Sequence, residues 1–174
     1  EHLLTEFSDF ARMPKPKFKK INLSNVVSRS LNLYIPSEPK IEFITNIKKL
    51  SFLFNGDEEQ INRVFINLLK NSVESIHEKK KKNLDFKGKI NIDINQDSDY
   101  IYATIIDNGV GFDNVDKAKM LTPYFTTKKA GSGLGLAIVT KIIADHDGSI
   151  EFNSNNNSAE VKIALPKKIW QEKF

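Results

Sequence analysis

The sequence feature that most constrains the fold is a long amphipathic segment at residues 57–79. Asp57 is a suitable N-cap for a helix, and Glu58 and Glu59 follow it in the first turn, where the helix dipole favours acidic side chains. The positions that recur at helical spacing are apolar or small, namely Ile61, Val64, Phe65, Leu68, Leu69, Ser72, Val73 and Ile76. A helix with such a stripe buries it against another layer, so the pattern predicts a helix that packs on a sheet.

Strand patterns on both sides of this helix supply the second layer. Alternating apolar and polar residues, or short apolar runs, predict strands at residues 41–47, 50–54, 90–94, 100–106, 149–153 and 161–165. Asn55–Gly56 is the predicted turn after the second strand, and shorter helices are predicted from the N-cap Ser24 to Tyr34 and from Leu134 to Asp145. We expect an α+β fold, a two-layer α/β sandwich in which about three helices cover one face of a mixed, mostly antiparallel sheet of about five strands.

The first residues carry a separate helical pattern. Residues 1–13 place Leu3, Leu4, Phe7, Phe10 and Ala11 on one face, and Pro14 and Pro16 end the helix. Such a short helix is unstable alone in water, so we expect it to have a partner helix. The chain starts without Met and in the middle of an apolar pattern, which indicates a fragment of a longer protein.

Composition excludes several classes of function. The chain has no run of about 18 apolar residues, so no membrane-spanning helix is predicted. It has no cysteine, which excludes disulfides and thiolate metal sites. The net charge of +4 comes from lysines, but the run Lys79–Lys82 has no interleaved aromatic residues. We interpret this run as the solvated end of the long helix and expect no nucleic-acid partner.

Two amides on the long helix are candidate metal ligands. Asn67 and Asn71 lie four residues apart and therefore share one face, at the edge of the apolar stripe. An amide oxygen is a hard ligand that Mg²⁺ accepts when phosphates and waters fill its other positions. The alternative is a pair of ordinary amides on the helix surface.

Asp107 ends a strand that reads as fully buried and is followed by Gly109 and Gly111. A carboxylate at this place can accept a hydrogen bond from the exocyclic amine of adenine, whereas guanine would leave it unpaired. The glycines would let the backbone turn and approach the base without a Cβ atom. The alternative is a hairpin turn at Asp107–Gly109.

A glycine-rich segment precedes the last predicted helix. Gly131, Gly133 and Gly135 would expose backbone N–H groups at the positive end of that helix, which suits a polyphosphate. A dinucleotide-binding turn would need a preceding strand, which the sequence does not show. The preceding stretch lacks periodicity, so we predict a mobile lid at residues 110–132, anchored by Phe125; the alternative for Phe125 is an ordinary core residue. Either Lys128 or Lys129 is expected to contact the terminal phosphate.

These segments resemble four ordered motifs of sensor histidine kinases, within the superfamily of DNA gyrase B, Hsp90 and MutL. Asn67–Asn71 resembles the N box, Asp107–Gly111 and Gly131–Leu136 the two glycine boxes, and Thr122–Lys128 the F box. The resemblance covers about residues 20–166 and implies a Bergerat-type ATP-binding fold with ATP and Mg²⁺ as cofactors. It implies Asn71 as the metal ligand, Asn67 and Lys128 as catalytic residues, and a nucleotide site formed by Asn67, Asn71, Asp107, Gly109, Gly111, Phe125, Thr126, Thr127, Lys128, Gly131, Ser132, Gly133, Leu134, Gly135 and Leu136.

The resemblance also implies what the domain does. It would donate the γ-phosphoryl group of ATP to a histidine on a separate dimerisation domain, for onward transfer to a response regulator. Residues 7–12 look like the tail of a dimerisation helix, most similar to NtrY-like nitrogen-regulation kinases. We expect residues 1–16 to be that helix end and linker, residues 17–168 the ATP-binding catalytic domain, and residues 169–174 a tail. The resemblance further implies a homodimeric parent protein anchored in the inner membrane, with this domain in the cytoplasm.

Three departures from the family pattern qualify these expectations. Hydrolytic relatives carry a Glu where Asn67 stands, so the resemblance implies transfer rather than hydrolysis. Ser158–Glu160 replaces a more usual glycine-containing segment, which leaves an adenine-side role for Ala159 in doubt. The acceptor context is absent around each histidine, namely His2, His77 and His146. The alternatives are a nucleotide-binding regulatory module without kinase activity and an ATPase of the gyrase or Hsp90 type.

Overall fold

The computed structural model describes residues 13–47, 51–112, 133–155 and 158–167. Along these residues the elements follow in the order β1 (Lys19–Asn22), α1 (Leu23–Tyr34), β2 (Ile41–Ile47), β3 (Leu53–Gly56), α2 (Glu58–Lys82), β4 (Gly88–Gln96), β5 (Tyr100–Asp107), α3 (Gly135–Asp145), β6 (Ser149–Asn155) and β7 (Ser158–Pro166). None of the three helices in these ranges is both long and apolar enough to cross a lipid bilayer.

The strands form one main sheet and one small sheet. The main sheet has the order β2-β4-β5-β7-β6, in which β2 and β4 run parallel and the other neighbours are antiparallel. A parallel pair needs a crossover connection, and β3 with α2 provides it. The small sheet joins β1 and β3 in antiparallel register. The expected α+β sandwich with a mixed, mostly antiparallel sheet is confirmed.

The core lies between the three helices and one face of the main sheet. Every position of the predicted stripe on α2 is buried. The facing positions of β4 and β5 are Ile90, Ile92, Ile94, Ile101, Ala103 and Ile105, which are also buried. Full burial of one such aliphatic side chain stabilises a fold by roughly 1.5–3 kcal/mol. This packing holds α2 firmly against the sheet.

Helix starts were predicted with mixed success. At α2 the carboxylate of Asp57 accepts hydrogen bonds from the backbone N–H groups of Glu59 (3.1 Å) and Gln60 (3.0 Å), so the predicted cap is confirmed. The predicted cap of α1 was wrong. Asn22 caps that helix by accepting a hydrogen bond from the N–H of Ser24, which lies inside the first turn.

The region around β3 also differs from the prediction. Asn55–Gly56 is not a turn but the end of β3, where Lys20 of β1 faces Asn55 and Lys19 faces Gly56. The strand continues because β1 pairs with it, and β1 itself has no alternating pattern that would have predicted it. The helix predicted over residues 1–13 lies outside the described residues, apart from Met13.

A buried histidine connects the end of α3 to the beginning of α2. His146 is 3% exposed, its Nδ1 lies 2.8 Å from the carbonyl oxygen of Ile142, and its Nε2 accepts a hydrogen bond from the N–H of Asp57 at 2.9 Å. The imidazole fulfils both roles only when it is neutral, with the proton on Nδ1. Burial holds the pKa of the His146 imidazole below its ordinary value, although the Ile142 carbonyl and nearby carboxylates oppose this effect.

We expect acid to destabilise the fold through His146. The unfolded chain takes up a proton on this residue near its ordinary pKa of about 6.5, whereas the folded chain does so only at lower pH. The stabilisation is therefore complete above about pH 6.5 and is lost as the pH falls toward the folded pKa. In urea unfolding, the wild type should lose more stability than His146→Gln between about pH 7.5 and pH 5.5. His77→Gln, at an exposed histidine, is the matched control, and equal losses in all three proteins would contradict the prediction.

Candidate functional site

The face of α2 beside its buried stripe carries a row of polar side chains. Asn67, Asn71 and Ser75 follow one another at four-residue intervals, so they stack on successive turns, and all three are half-buried. Eight residues of helix correspond to about 12 Å along the axis. The row therefore forms a polar edge beside the buried stripe, and the two amides lie on the predicted face of the helix.

One end of this row meets the end of β5. Asp107 is 5% exposed, and its Oδ1 accepts hydrogen bonds from the N–H of Gly109 at 2.9 Å and from the hydroxyl of Ser75 at 3.2 Å. The same hydroxyl accepts a hydrogen bond from the N–H of Val110 at 3.0 Å. The carboxylate predicted to recognise a base thus lies buried against α2, and Ser75 joins it to the helix.

Gly109 is needed for this close approach. A Cβ atom built on Gly109 would lie 2.1 Å from the Ser75 hydroxyl oxygen and 2.6 Å from the Ser75 carbonyl carbon, which no side chain tolerates. The contact that excludes a side chain at Gly109 is therefore with α2. The sequence had predicted a close approach to a base instead. Gly111 has a positive φ of 74°, as a sharp turn requires. The hairpin alternative is wrong, because β5 pairs with β4 and β7 and neither follows directly after this turn.

Lys79 holds the turn from its other side. Its ammonium group donates hydrogen bonds to the carbonyl oxygens of Asn108 (2.8 Å) and Gly109 (3.0 Å) and lies 4.8 Å from the ring centroid of Phe86. The interpretation of the run Lys79–Lys82 as a purely solvated helix end was therefore wrong for Lys79. It fits Lys81, which is exposed and pairs with Glu78 at 2.6 Å.

The other end of the row meets the beginning of α3. A Cβ atom on Gly135 would lie 3.0 Å from the Oδ1 of Asn67, so this amide oxygen borders the first turn of α3. The Nδ2 of Asn67 donates a hydrogen bond to the carbonyl oxygen of Arg63 at 2.8 Å, which directs the oxygen outward. Gly133 has a positive φ of 71° just before the helix. A helix N-terminus presents backbone N–H groups that attract anions.

The structure describes only part of the predicted glycine segment. The side chain of Leu134 is fully buried, so any contact of this residue with a ligand would come from its backbone, whereas Leu136 is partly buried against the core. Six predicted site residues lie outside the described ranges, namely Phe125, Thr126, Thr127, Lys128, Gly131 and Ser132. The predicted lid also lies outside them, except for residues 110–112. There, the N–H of Phe112 donates to the hydroxyl of Ser154 at 2.9 Å.

This arrangement suits an elongated ligand that has a hydrogen-bond donor at one end and anionic groups at the other. A buried carboxylate accepts at the end of β5, and the N-terminus of α3, which attracts anions, borders the other end of the polar row. No cluster of three or more His, Cys, Asp or Glu residues that could hold a metal ion occurs among the described residues. An amide oxygen such as the Oδ1 of Asn67 can ligate a hard cation that takes most of its other ligands from a bound anion and from water.

Known proteins with similar sequences indicate the family to which the chain is related. The family described as "Histidine kinase-, DNA gyrase B-, and HSP90-like ATPase" matches residues 56–169. Nitrogen regulation protein NtrY of Azorhizobium caulinodans is 34% identical over 165 residues, which are 94% of this chain and 21% of NtrY. Sporulation kinase A of Bacillus subtilis is 36% identical over 125 residues, which are 71% of this chain and 19% of that kinase. The chain therefore spans about a fifth of the length of these two relatives.

A solved structure extends the similarity to three dimensions. The nucleotide-free catalytic domain of histidine kinase ThkA superposes on this chain with a TM-score of 0.73 at 27% identity. The superposition covers 87% of this chain and 96% of that domain. The two-layer architecture is thus shared with a histidine kinase catalytic domain over nearly its whole length.

Proposed function

Since the chain belongs to the family of histidine kinase-, DNA gyrase B- and HSP90-like ATPases, we propose that it binds Mg²⁺-ATP along the polar row of α2 and donates the γ-phosphoryl group to a histidine. The observation that carries this proposal is the position of the row. It connects a buried carboxylate at the end of β5 with the N-terminus of α3, and an extended nucleotide has matching groups at its two ends.

The end of the site at Asp107 would bind the base and select adenine. Asp107 would accept a hydrogen bond from the exocyclic amine, whereas a 6-oxo purine places a carbonyl oxygen opposite the carboxylate. The bonds from Gly109 and Ser75 to Oδ1 already fix the orientation of this group, so little order has to be gained on binding. Ala159 of β7 faces Asp107 across the sheet and is buried.

The phosphate end would hold the reacting group. Asn71 would ligate Mg²⁺, with Asn67 beside it at the first turn of α3, and the N–H groups of residues 131–136 would contact the phosphates. Lys128 would contact the terminal phosphate. The metal ion would neutralise charge that develops on the phosphoryl oxygens. In such a transfer the protein contributes mainly orientation, which the rigid packing of α2 supports.

Asn67 supports transfer rather than hydrolysis. An amide cannot take a proton from water, and the Asn67 Nδ2 is already used by the carbonyl of Arg63. In this proposal the chain works within a larger protein. Residues 1–16 would be the end of the dimerisation helix and linker, residues 17–168 the catalytic domain and residues 169–174 a tail. The parent would be a homodimer anchored in the inner membrane, with this domain in the cytoplasm, and would pass the phosphoryl group to a response regulator.

We expect the chain alone to take up no phosphoryl group from ATP. His146 is buried with both ring nitrogens in hydrogen bonds, and His77 is paired with Glu38 at 2.9 Å. Incubation with γ-labelled ATP should therefore give no acid-labile label, whereas addition of the parent's dimerisation domain should give label on that domain. Label on His2, His77 or His146 would show that the acceptor lies in this chain. Rapid ATP hydrolysis without transfer would favour the ATPase alternative.

A further inference from the structure

Two side chains of α2, Ser75 and Lys79, hold the turn that follows β5 from opposite sides. Ser75 lies one helical turn beyond Asn71, and Lys79 lies one turn beyond Ser75. The nucleotide proposal assigns no role to either residue. The side chains of both residues form hydrogen bonds with the Asp107–Val110 turn, at distances of 2.8–3.2 Å. Their effect on the turn can therefore be derived from its peptide geometry.

Two of the three peptide units in the Asp107–Val110 turn are held at both of their ends. The carbonyl of Asn108 and the N–H of Gly109 belong to one planar trans peptide, so they point in opposite directions. Lys79 binds that carbonyl, and the N–H accordingly points to Asp107. The next peptide repeats the pattern, because Lys79 binds the carbonyl of Gly109 while the N–H of Val110 points to Ser75.

The hydroxyl of Ser75 connects the turn to the carboxylate of Asp107 and orients that group. It accepts from the N–H of Val110, and its own proton is therefore directed to the Oδ1 of Asp107. Two donors, this hydroxyl and the N–H of Gly109, then converge on the same oxygen. Rotation of the carboxylate about its Cβ–Cγ bond would break both bonds, so the plane of the group is fixed.

We propose that Ser75 and Lys79 are positioning residues that set the preference of this site for adenine over 6-oxo purines; this inference rests on the proposed function. At position 6, adenine presents a hydrogen-bond donor, whereas hypoxanthine presents an acceptor. A fixed carboxylate offers that position only an acceptor. If the turn is released, the peptide between Asn108 and Gly109 can flip and present its N–H to a 6-carbonyl group, and the discrimination decreases.

Calorimetric titration with Mg²⁺-ATP and Mg²⁺-inosine triphosphate tests this inference. Ser75→Ala removes the hydroxyl, and Lys79→Met removes the ammonium group while it keeps the aliphatic stem. Each variant should bind ATP roughly 3- to 10-fold more weakly, as expected when the single hydrogen bond between adenine and Asp107 is misaligned, without weakening for inosine triphosphate. The affinity ratio of the two nucleotides should fall by the same factor. Lys79→Arg keeps a donor for the two carbonyls and should restore most of the ratio.

Matched controls separate positioning from stability. Ser37→Ala removes an exposed hydroxyl at the end of α1, and Lys81→Met removes an exposed lysine from the last turn of α2. Both should keep the wild-type ratio. If Ser75→Ala and Lys79→Met weaken the two nucleotides equally, or change only the melting temperature, the positioning role is overturned. A wild-type chain that binds ATP no better than inosine triphosphate contradicts the proposed base recognition itself, which distinguishes the two failures.

Discussion

Asp107→Asn is expected to remove most of the thermal stabilisation that Mg²⁺-ATP gives this chain. At a ligand concentration about 100 times the dissociation constant, binding stabilises the folded state by about 2.7 kcal/mol. For a protein of this size that corresponds to a rise in melting temperature of roughly 5–10 °C. The variant should show little of this rise, because an amide can turn its NH₂ group toward the adenine amine, and two donors then face each other.

The matched control for this experiment is Asp85→Asn, at an exposed carboxylate between α2 and β4. It should keep the full rise in melting temperature with ATP. The wild type should respond much less to GTP than to ATP. Equal rises with the two nucleotides would contradict the assignment of Asp107 as the residue that recognises the base.

Asn71→Ala should reduce phosphoryl transfer to the parent's dimerisation domain by about 100-fold or more. The variant removes the proposed metal ligand from the middle of the polar row, and a displacement of the reacting groups by about 1 Å already costs about 100-fold in rate. The fold should remain intact, because the Asn71 side chain is half-buried and lies outside the apolar stripe. The measurement is the initial rate of labelling of the acceptor domain from γ-labelled ATP.

Asn95→Ala serves as the control, since this amide is exposed near the end of β4 and its Nδ2 bonds only weakly to Asp93 at 3.3 Å. It should transfer at the wild-type rate. A normal rate for Asn71→Ala at saturating Mg²⁺ would show that this residue does not ligate the metal. A loss that excess Mg²⁺ partly reverses would strengthen the assignment, because a weakened site fills at a higher metal concentration.

The long helix and the strands of the main sheet could be predicted because their burial is periodic. The stripe of α2 and the alternation in β4 follow from one buried face each, and such patterns are local. β1 was missed because Lys19–Asn22 has no alternation and becomes a strand only through its partner β3. The cap of α1 was misplaced by two residues, since Asn22 and Ser24 are equally good caps by local criteria.

The candidate site was predictable where its residues carried recognisable motifs. Asn67 and Asn71 lie on the expected face, and Asp107 lies at the expected buried strand end. Ser75 was missed although it continues the four-residue interval of the two amides, and that interval was the available signal. Lys79 was assigned to a basic run because its partners, the carbonyls of Asn108 and Gly109, lie about thirty positions further along the chain.

The location of the polar row on a single helix has a consequence for how this domain can vary. Asn67, Asn71, Ser75 and Lys79 lie on one rigid helix, and each is four residues, or about 6 Å along the axis, from the next. One inserted or deleted residue within α2 would rotate every later side chain of the polar row by about 100° about the helix axis and turn it away from the proposed ligand. The number of residues in α2 therefore sets the distance between the two ends of the site. Ligand preference can therefore vary through substitution of residues in the polar row, while the number of residues in α2 stays constant.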